Sequence, residues 1–171
     1  MLTLSDHDLR LLGELVNRYA LLVDEGAYDQ VADLFAVDGV LTSPEPPDRL
    51  RPVRDVRGRP AIKEELQRLD HFAMTFHGLA GQIFEATGPA TARGKVNCIA
   101  HHVLAEGRDV RDLVWHLRYD DRYARSGAAW AITRREITIE LIDARPAKRV
   151  NDRLDLTAQQ DGHTTPTQEA R

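Results

Sequence analysis

Cysteine, long apolar runs and an excess of positive charge are all lacking in this chain. Its 171 residues include one cysteine, Cys98, which excludes an intramolecular disulfide framework and a cysteine-based zinc site. The formal net charge of −4 offers no basic surface for nucleic acid. No apolar run approaches the ~18 residues of a membrane span, and the first residues lack the basic and apolar regions of a signal peptide. We therefore expect a cytoplasmic protein that binds neither nucleic acid nor a membrane.

Composition predicts one globular domain followed by a tail. A hydrophobic content of 42% beside 29% charged residues is ordinary for a soluble globule, and the length fits a single domain. Beyond residue 145 the sequence becomes polar, as in residues 159–162. Such a segment cannot bury enough apolar area to offset the entropy of ordering it. We predict a domain over residues 1–145 and a disordered C-terminal tail over residues 146–171.

Three helices are predicted in the N-terminal part of the chain. Ser5 or Asp6 can cap a first helix, whose apolar residues recur at helical spacing. Gly26 is free to take positive φ and ends this helix. A short second helix is predicted over residues 28–35. A third helix begins at Pro60, because proline is favoured at the first helical position, and runs to about residue 69.

Strands are predicted for most of the remaining chain. Residues 40–42 form a short strand. Residues 44–54 hold four prolines, a density that disfavours helix and central strand, so we expect a loop or pocket lid there. Segments that alternate with turn signals then predict four strands, over residues 76–86, 92–104, 113–125 and 128–142. This order is typical of an α+β fold in which three helices pack on one face of a strongly curved, mostly antiparallel sheet.

Tyr19, Asp24 and His77 are candidates for acid–base chemistry. Asp24 lies near the C-terminal end of the first helix, where the helix dipole disfavours a carboxylate, so its position hints at a purpose other than stability. His77 lies in an otherwise apolar strand start and could act as a general base, with Asp24 fixing its tautomer. Each residue also has a structural explanation. Tyr19 could be a core aromatic, Asp24 a solvated residue at a helix end and His77 a satisfied core histidine.

Period-two alternation separates two faces of the strand over residues 115–123. One face could line an amphipathic cavity and carries Trp115, Leu117, Tyr119, Asp121 and Tyr123. The other face is expected to meet solvent or a partner and carries His116, Arg118, Asp120 and Arg122.

The same alternation applies to two pairs of adjacent residues. His101 and His102 point to opposite faces of a strand, so at most one faces a pocket, and the pair predicts no metal site. Arg134 and Arg135 also face opposite ways, so one of them could bind an anionic group while the other is solvated.

Four segments carry a resemblance to a known family. Residues 18–29, 31–40, 57–62 and 130–135 resemble the SnoaL-like proteins of the nuclear-transport-factor-like superfamily. The resemblance covers about residues 8–142 and implies a cone-shaped α+β fold with an internal pocket. The resemblance is specific for the fold but says little about the function, because this scaffold serves isomerases, dehydratases, cyclases, epoxide hydrolases and non-enzymatic modules.

Within that superfamily, the residues are most similar to the Asp–His dehydratases, such as scytalone dehydratase and bile-acid dehydratase. The resemblance implies a catalytic group of Tyr19, Asp24, His77 and Arg135, with Arg134 in place of Arg135 if the register slips by one residue. His77 would remove a proton beside an activating group, Asp24 would orient the imidazole, and Tyr19 would polarise a carbonyl or assist the leaving group. Proton transfer of this kind implies no metal and no organic cofactor.

The pocket is expected to take a small, hydrophobic, oxygenated molecule of the steroid, terpenoid or polyketide type. Its predicted substrate-binding residues are Phe35, Trp115, Tyr119 and Tyr123. We interpret the protein as a lyase or isomerase that dehydrates, isomerises or cyclises such a molecule. The alternative is a non-catalytic ligand-binding or assembly protein of the same fold.

Two other chemistries of the superfamily fit the sequence less well. The base aspartate of ketosteroid isomerases falls at Ser43, which argues against that mechanism. Arg118 and Asp120 imitate the Arg-x-Asp pair of epoxide hydrolases, but the second aspartate of that site would have to be replaced by Glu136 or Glu140. An epoxide hydrolase is therefore the less favoured enzyme.

An open curved sheet exposes one apolar face, and relatives commonly bury such a face in a homodimer or homotrimer. The residues predicted for that interface are Val103, Val114, Ile137 and Ile139, although a buried internal face explains them equally well.

Overall fold

The computed structural model describes residues 2–107 and 109–148. Its helices are α1 (Asp6–Asp24), α2 (Tyr28–Asp33) and α3 (Arg59–Gln67), with a short 3-10 helix (Arg68–His71) after α3. Its strands are β1 (Phe35–Glu45), β2 (Arg49–Arg57), β3 (Met74–Gly88), β4 (Thr91–Glu106), β5 (Asp109–Ser126) and β6 (Ala129–Pro146). The predicted tail from residue 146 lies almost wholly outside the described residues, and its disorder stays a prediction.

One mixed sheet contains all six strands, in the order β2-β1-β6-β5-β4-β3. Every neighbouring pair is antiparallel except β1 and β6, which run parallel. The prediction of an α+β fold with three helices and a mostly antiparallel sheet is therefore confirmed. The four C-terminal strands were each predicted close to their observed limits, because alternation and glycine-containing turns mark them locally.

Helix α1 begins and ends at the residues that the sequence indicated, Ser5 at its start and Gly26 just after its end. Ser5 is the N-cap, and its hydroxyl accepts a hydrogen bond from the backbone N–H of Asp8 at 3.2 Å. The Asp8 carboxylate also reaches back toward the backbone N–H of Ser5, which completes a capping box. Gly26 takes φ 68° just after the helix, a conformation that glycine adopts without a steric penalty.

The prediction of a loop over residues 44–54 was wrong. Strand β1 continues to Glu45, and β2 begins at Arg49. Both strands tolerate their prolines for positional reasons: Pro52 lies in the outermost strand of the sheet, and Pro44 lies where the register of the β1–β2 ladder shifts. The segment does contribute to a pocket, because Pro44, Pro46 and Pro47 line a cavity.

The core lies between the helices and one face of the sheet. Along β4, buried and exposed side chains alternate, as expected of a strand with one covered face. Ile137 lines the cavity, Ile139 lies in the core and Val114 is only 4% exposed, so of the four Val103 has the most surface left for the predicted oligomer interface. Within the described part of the chain, no helix is long and apolar enough to cross a membrane.

Candidate functional site

A cavity of about 660 Å³ lies between the covered face of the sheet and the helices. Its volume falls in the range typical of small-molecule sites. Most of its wall is apolar and includes Leu41, Leu66, Phe72, Leu117, Ile137 and Ile142. Polar side chains interrupt this wall, among them His77 of β3 and the Ser43–Glu65 pair of β1 and α3.

Asp24 and His77 form the first polar group. Asp24 is the last residue of α1, and the helix ends where its carboxylate reaches β3. The Nδ1 atom of His77 lies 2.6 Å from Oδ1 of Asp24, and the backbone N–H of His77 donates to Oδ2 at 2.8 Å. A carboxylate accepts hydrogen bonds, so Nδ1 of the neutral ring carries the proton and Nε2 keeps a free lone pair. His77 lines the cavity with its side chain only 6% exposed.

The charge of Asp24 is stabilised by its partner. Burial raises the pKa of Asp24, but the hydrogen bonds from the ring and the backbone N–H of His77, with the charge of that ring, outweigh burial and leave the pKa below its usual value. Asp24 is therefore a carboxylate at neutral pH. It can hold one tautomer of His77 and stabilise the imidazolium that forms when the ring takes a proton.

Two tyrosines stand beside this pair in the cavity wall. The rings of Tyr19, on α1, and Tyr119, on β5, meet edge to face at 6.0 Å between centroids. Burial raises the pKa of Tyr19 against the opposing effect of Arg135, and burial raises the pKa of Tyr119 well above its usual value. Both phenols therefore keep their protons at neutral pH and can donate hydrogen bonds.

Arg135 lies behind the tyrosines and does not line the cavity. Its guanidinium donates to both oxygens of Asp121, at 2.8 and 2.6 Å, and both side chains are fully buried. The same guanidinium packs 4.0 Å from the ring centroid of Tyr19 and 4.3 Å from that of Tyr119. Arg134 points the other way and pairs with Asp55 and Glu136. Of the two arginines, Arg135 is thus the one next to the cavity, and the rings of Tyr19 and Tyr119 separate it from the cavity.

The four predicted substrate-binding residues divide into two pairs. Trp115 and Tyr119 line the cavity. Phe35 and Tyr123 do not, because other contacts hold them in the core. Phe35 is fully buried with its ring against Tyr19, and the Tyr123 hydroxyl donates to Asp121 at 2.6 Å.

His102 is a cavity residue, and alternation alone did not decide whether it or His101 faces the pocket. Its ring stacks on Trp115 at 3.8 Å and lies 5.5 Å from the His77 ring, measured between centroids. Burial lowers the pKa of His102 to about 3, and the nearby charge of His77 adds to this effect, so the ring is neutral at ordinary pH. Its Nδ1 atom has no hydrogen-bond partner among the described residues.

A signal for His102 was present in the sequence. The residues that alternate with it toward the N-terminus are Val96, Cys98 and Ala100, all small or apolar, which marks their side of β4 as the covered one. His101 accordingly points to the other face, where its Nδ1 lies 2.8 Å from Asp112.

Groups required by other chemistries lie outside the cavity. Arg118 and Asp120 are largely exposed on the opposite face of β5, where they pair with Glu140 and Lys95. Arg118 and Asp120 therefore do not meet the Asp24–His77 pair in the cavity described above. In residues 2–107 and 109–148, no three His, Cys, Asp or Glu side chains come together in a way that could hold a metal ion.

Comparison with known proteins places this architecture in a recognised group. A sequence profile described as the SnoaL-like domain matches residues 7–136. No curated protein matches the chain.

Three solved structures illustrate the range of similar folds. A candidate scytalone dehydratase from Novosphingobium aromaticivorans is 19% identical over 86% of this chain and 96% of its own, with a TM-score of 0.69. A candidate aromatic ring hydroxylase from the same species is 20% identical over 84% and 96%, with a TM-score of 0.70. The hexachlorocyclohexane dehydrochlorinase LinA-type3 from Novosphingobium barchaimii is 13% identical over 80% and 88%, with a TM-score of 0.67. At these identities the likeness shows a shared fold.

Proposed function

Because the chain belongs to the SnoaL-like domain family, we propose that its cavity is the active site of a lyase or isomerase. The substrate would be a small, hydrophobic, oxygenated molecule of the steroid, terpenoid or polyketide type. The reaction would be an acid–base dehydration, isomerisation or cyclisation that uses the chain's own side chains. The similar structures named for dehydration and dehydrochlorination have the same fold and make elimination a reasonable first choice.

One observation carries the proposal, the Asp24–His77 pair in the cavity wall. A general base needs a free lone pair within reach of the substrate and a neighbour that stabilises its protonated form. The 2.6 Å contact through Nδ1 leaves Nε2 of His77 free, and the carboxylate of Asp24 supplies the stabilising charge. The mostly apolar wall around the pair lowers the local polarity and so strengthens this interaction.

For a dehydration, the proposed chemistry balances with the groups in the cavity. Nε2 of His77 takes a proton from a carbon next to a carbonyl, and the electron pair of that C–H bond forms a carbon–carbon double bond. The C–O bond at the neighbouring carbon breaks, and its oxygen leaves as water after it gains one proton. The proton that His77 has taken supplies the one that the departing oxygen needs to leave as water. His77 is then neutral again, and the enzyme has returned to its starting state.

The neighbouring side chains have complementary parts in this proposal. The phenols of Tyr19 and Tyr119 remain protonated and can donate to the carbonyl oxygen as negative charge develops on it. Arg135, sandwiched against both rings, adds positive charge behind them without contacting the substrate. His102 stays neutral, so it can share a hydrogen bond with the substrate without placing a second cation beside protonated His77.

The proposal predicts that proton abstraction depends on His77. We would screen ketones with steroid, terpenoid and aromatic polyketide skeletons for exchange of the α-hydrogen in D₂O by NMR, and their β-hydroxy derivatives for dehydration by ultraviolet absorbance. The wild type should accelerate at least one reaction. His77→Asn should lower that rate by about 100-fold or more, because positioned acid–base groups typically contribute this much. Asp24→Asn should also slow the reaction.

A matched control is available on the outer face of the same sheet. His116→Asn changes a partly buried histidine of β5 that does not line the cavity and should leave the rate unchanged. Thermal unfolding of all three variants separates lost chemistry from lost structure. If wild type and His77→Asn are equally slow toward compounds that both bind, the lyase proposal fails, and the non-catalytic ligand-binding alternative takes its place.

A further inference from the structure

The second polar group of the cavity is built around Glu65, on α3. Glu65 is a buried carboxylate, with its side chain 8% exposed, and it lines the cavity together with Ser43 of β1. The Ser43 hydroxyl donates to Oε1 of Glu65 at 2.7 Å. Arg54 pairs with Oε2 at 3.2 Å and Arg68 with Oε1 at 3.4 Å, so two guanidinium groups balance the buried charge.

Within this group, Ser43 and Glu65 offer only hydrogen-bond acceptors to the cavity, whereas Arg68, which also lines it, offers guanidinium donors. The only proton on the Ser43 hydroxyl is used toward Glu65, so the lone pairs of its oxygen are what it can offer to the cavity. Glu65, as a carboxylate, can only accept. The pair therefore accepts hydrogen bonds and has none to donate. Arg54 and Arg68 are about half exposed, which places this group toward the solvent side of the cavity.

Three strands of the sheet separate the two polar groups. His77 lies on β3 and Ser43 on β1, with β4, β5 and β6 between them in the sheet. The wall between is mostly apolar. A ligand that spans the cavity thus meets proton-abstracting chemistry at one end and a hydrogen-bond acceptor at the other.

We infer that Ser43 and Glu65 form a specificity subsite that binds a hydroxyl group at the end of the substrate remote from His77. This inference rests on the proposed function and adds the substrate class to it: a hydrophobic skeleton with a carbonyl at one end and a hydrogen-bond donor at the other. An ether in place of the hydroxyl cannot donate to Ser43 or Glu65, so we expect it to bind less tightly at this subsite.

Calorimetric binding measurements test the subsite without requiring turnover. The probes are bicyclic, tricyclic and tetracyclic ketones, each prepared in three forms whose far end carries hydrogen, a hydroxyl or the methyl ether of that hydroxyl. For the skeleton that fits, the wild type should bind the hydroxyl form about 10-fold more tightly than the other two, since a net hydrogen bond is typically worth up to about this much. Ser43→Ala should reduce that preference to less than about 3-fold.

Thr42→Val is the matched control. Thr42 is the neighbouring residue of β1, and its hydroxyl donates to Asp55 at 2.6 Å, away from the cavity. This variant also loses one strand hydroxyl but should keep the 10-fold preference. Thermal unfolding confirms that both variants are folded.

The possible results separate this inference from the proposed function. Equal binding of the hydroxyl and ether forms, an unchanged preference in Ser43→Ala, or no binding by any probe overturns the subsite. If the preference is present and depends on Ser43 while no compound is exchanged or dehydrated, the subsite stands and the lyase proposal falls.

Discussion

Neighbouring histidines in this cavity are held in different ways. His77 has a carboxylate partner through Nδ1, whereas His102 is packed between Trp115 and the His77 ring, and its Nδ1 has no partner in the part of the chain that the structure describes. Burial disfavours the imidazolium and the nearby charge of His77 adds to this effect, and together they outweigh the charge of Asp24, so the pKa of His102 falls to about 3. The wall therefore contains one histidine paired with a carboxylate and one that stays neutral.

The neutral state of His102 predicts a pH-dependent stability. The pKa of His102 is lower in the folded chain than the usual 6.5, so between about pH 6.5 and 3 the unfolded chain binds more protons and stability falls as pH falls. His102→Phe can still stack on Trp115 and should lose less stability over that window. Urea unfolding at a series of pH values measures this slope. Above pH 7 the free energies of unfolding of wild type and His102→Phe should differ by a constant amount. Equal slopes of this free energy against pH below pH 6.5 would contradict the prediction.

The start of α1 is joined to the turn between β5 and β6. Asp8 closes the capping box with Ser5 and also accepts a hydrogen bond from Nε1 of Trp130 at 3.1 Å. Arg125 pairs with the same carboxylate and lies 4.9 Å over the Trp130 ring. The helix that carries Tyr19 and Asp24 is thereby anchored at the end remote from the cavity, so these contacts help to set the position of the site.

This anchor predicts a difference between two tryptophans. Trp130→Phe removes the hydrogen bond to the Asp8 carboxylate and should reduce the free energy of unfolding by about 1.5–3 kcal/mol beyond the lost packing. Trp115→Phe is the control, since Nε1 of Trp115 is buried with no partner among the described residues. Its removal relieves an unsatisfied donor, so this variant should lose less stability. Chemical denaturation measures both, and an equal loss in the two would argue against the anchor.

A buried ion pair connects the helix layer to the sheet. Asp121 on β5 and Arg135 on β6 are fully buried, and Arg135 packs under Tyr19 of α1. Burial would lower the pKa of Arg135, but the charge and hydrogen bonds of Asp121 outweigh it and hold the pKa well above its usual value. The pair is charged within the core, so the fold depends on both partners being present.

Removal of one partner of this pair should strongly destabilise the folded chain. Asp121→Asn leaves the guanidinium of Arg135 without a countercharge and should lower the free energy of unfolding by about 3–5 kcal/mol. Asp55→Asn is the matched control, because Asp55 pairs with the adjacent Arg134 at the surface, where an ion pair is worth less than about 1 kcal/mol. Urea unfolding compares the two. A loss of less than about 1 kcal/mol in Asp121→Asn would show that the core tolerates an unpaired guanidinium.

The parts of the structure that depend on near neighbours in the chain were predictable. Capping residues and helical spacing located α1, and alternation with turn residues located β3 to β6, because these signals act over a few residues. Alternation along β5 also separated the buried Tyr119 and Asp121 from the exposed Arg118 and Asp120. The prolines of residues 44–54 were misinterpreted because their tolerance depends on β2 being an edge strand, which no local pattern reveals.

The arrangement of the cavity was decided by contacts between distant segments. Fifty-three residues separate Asp24 from His77 along the chain, and their contact exists because α1 ends against β3. Alternation could place Arg135 opposite Arg134, but only the packing of α1 on β6 put Tyr19 between Arg135 and the cavity. Likewise, the Ser43–Glu65 pair needed α3 to pack on β1. Side-chain direction follows from the local backbone, whereas which side chains meet depends on how the helices and strands pack.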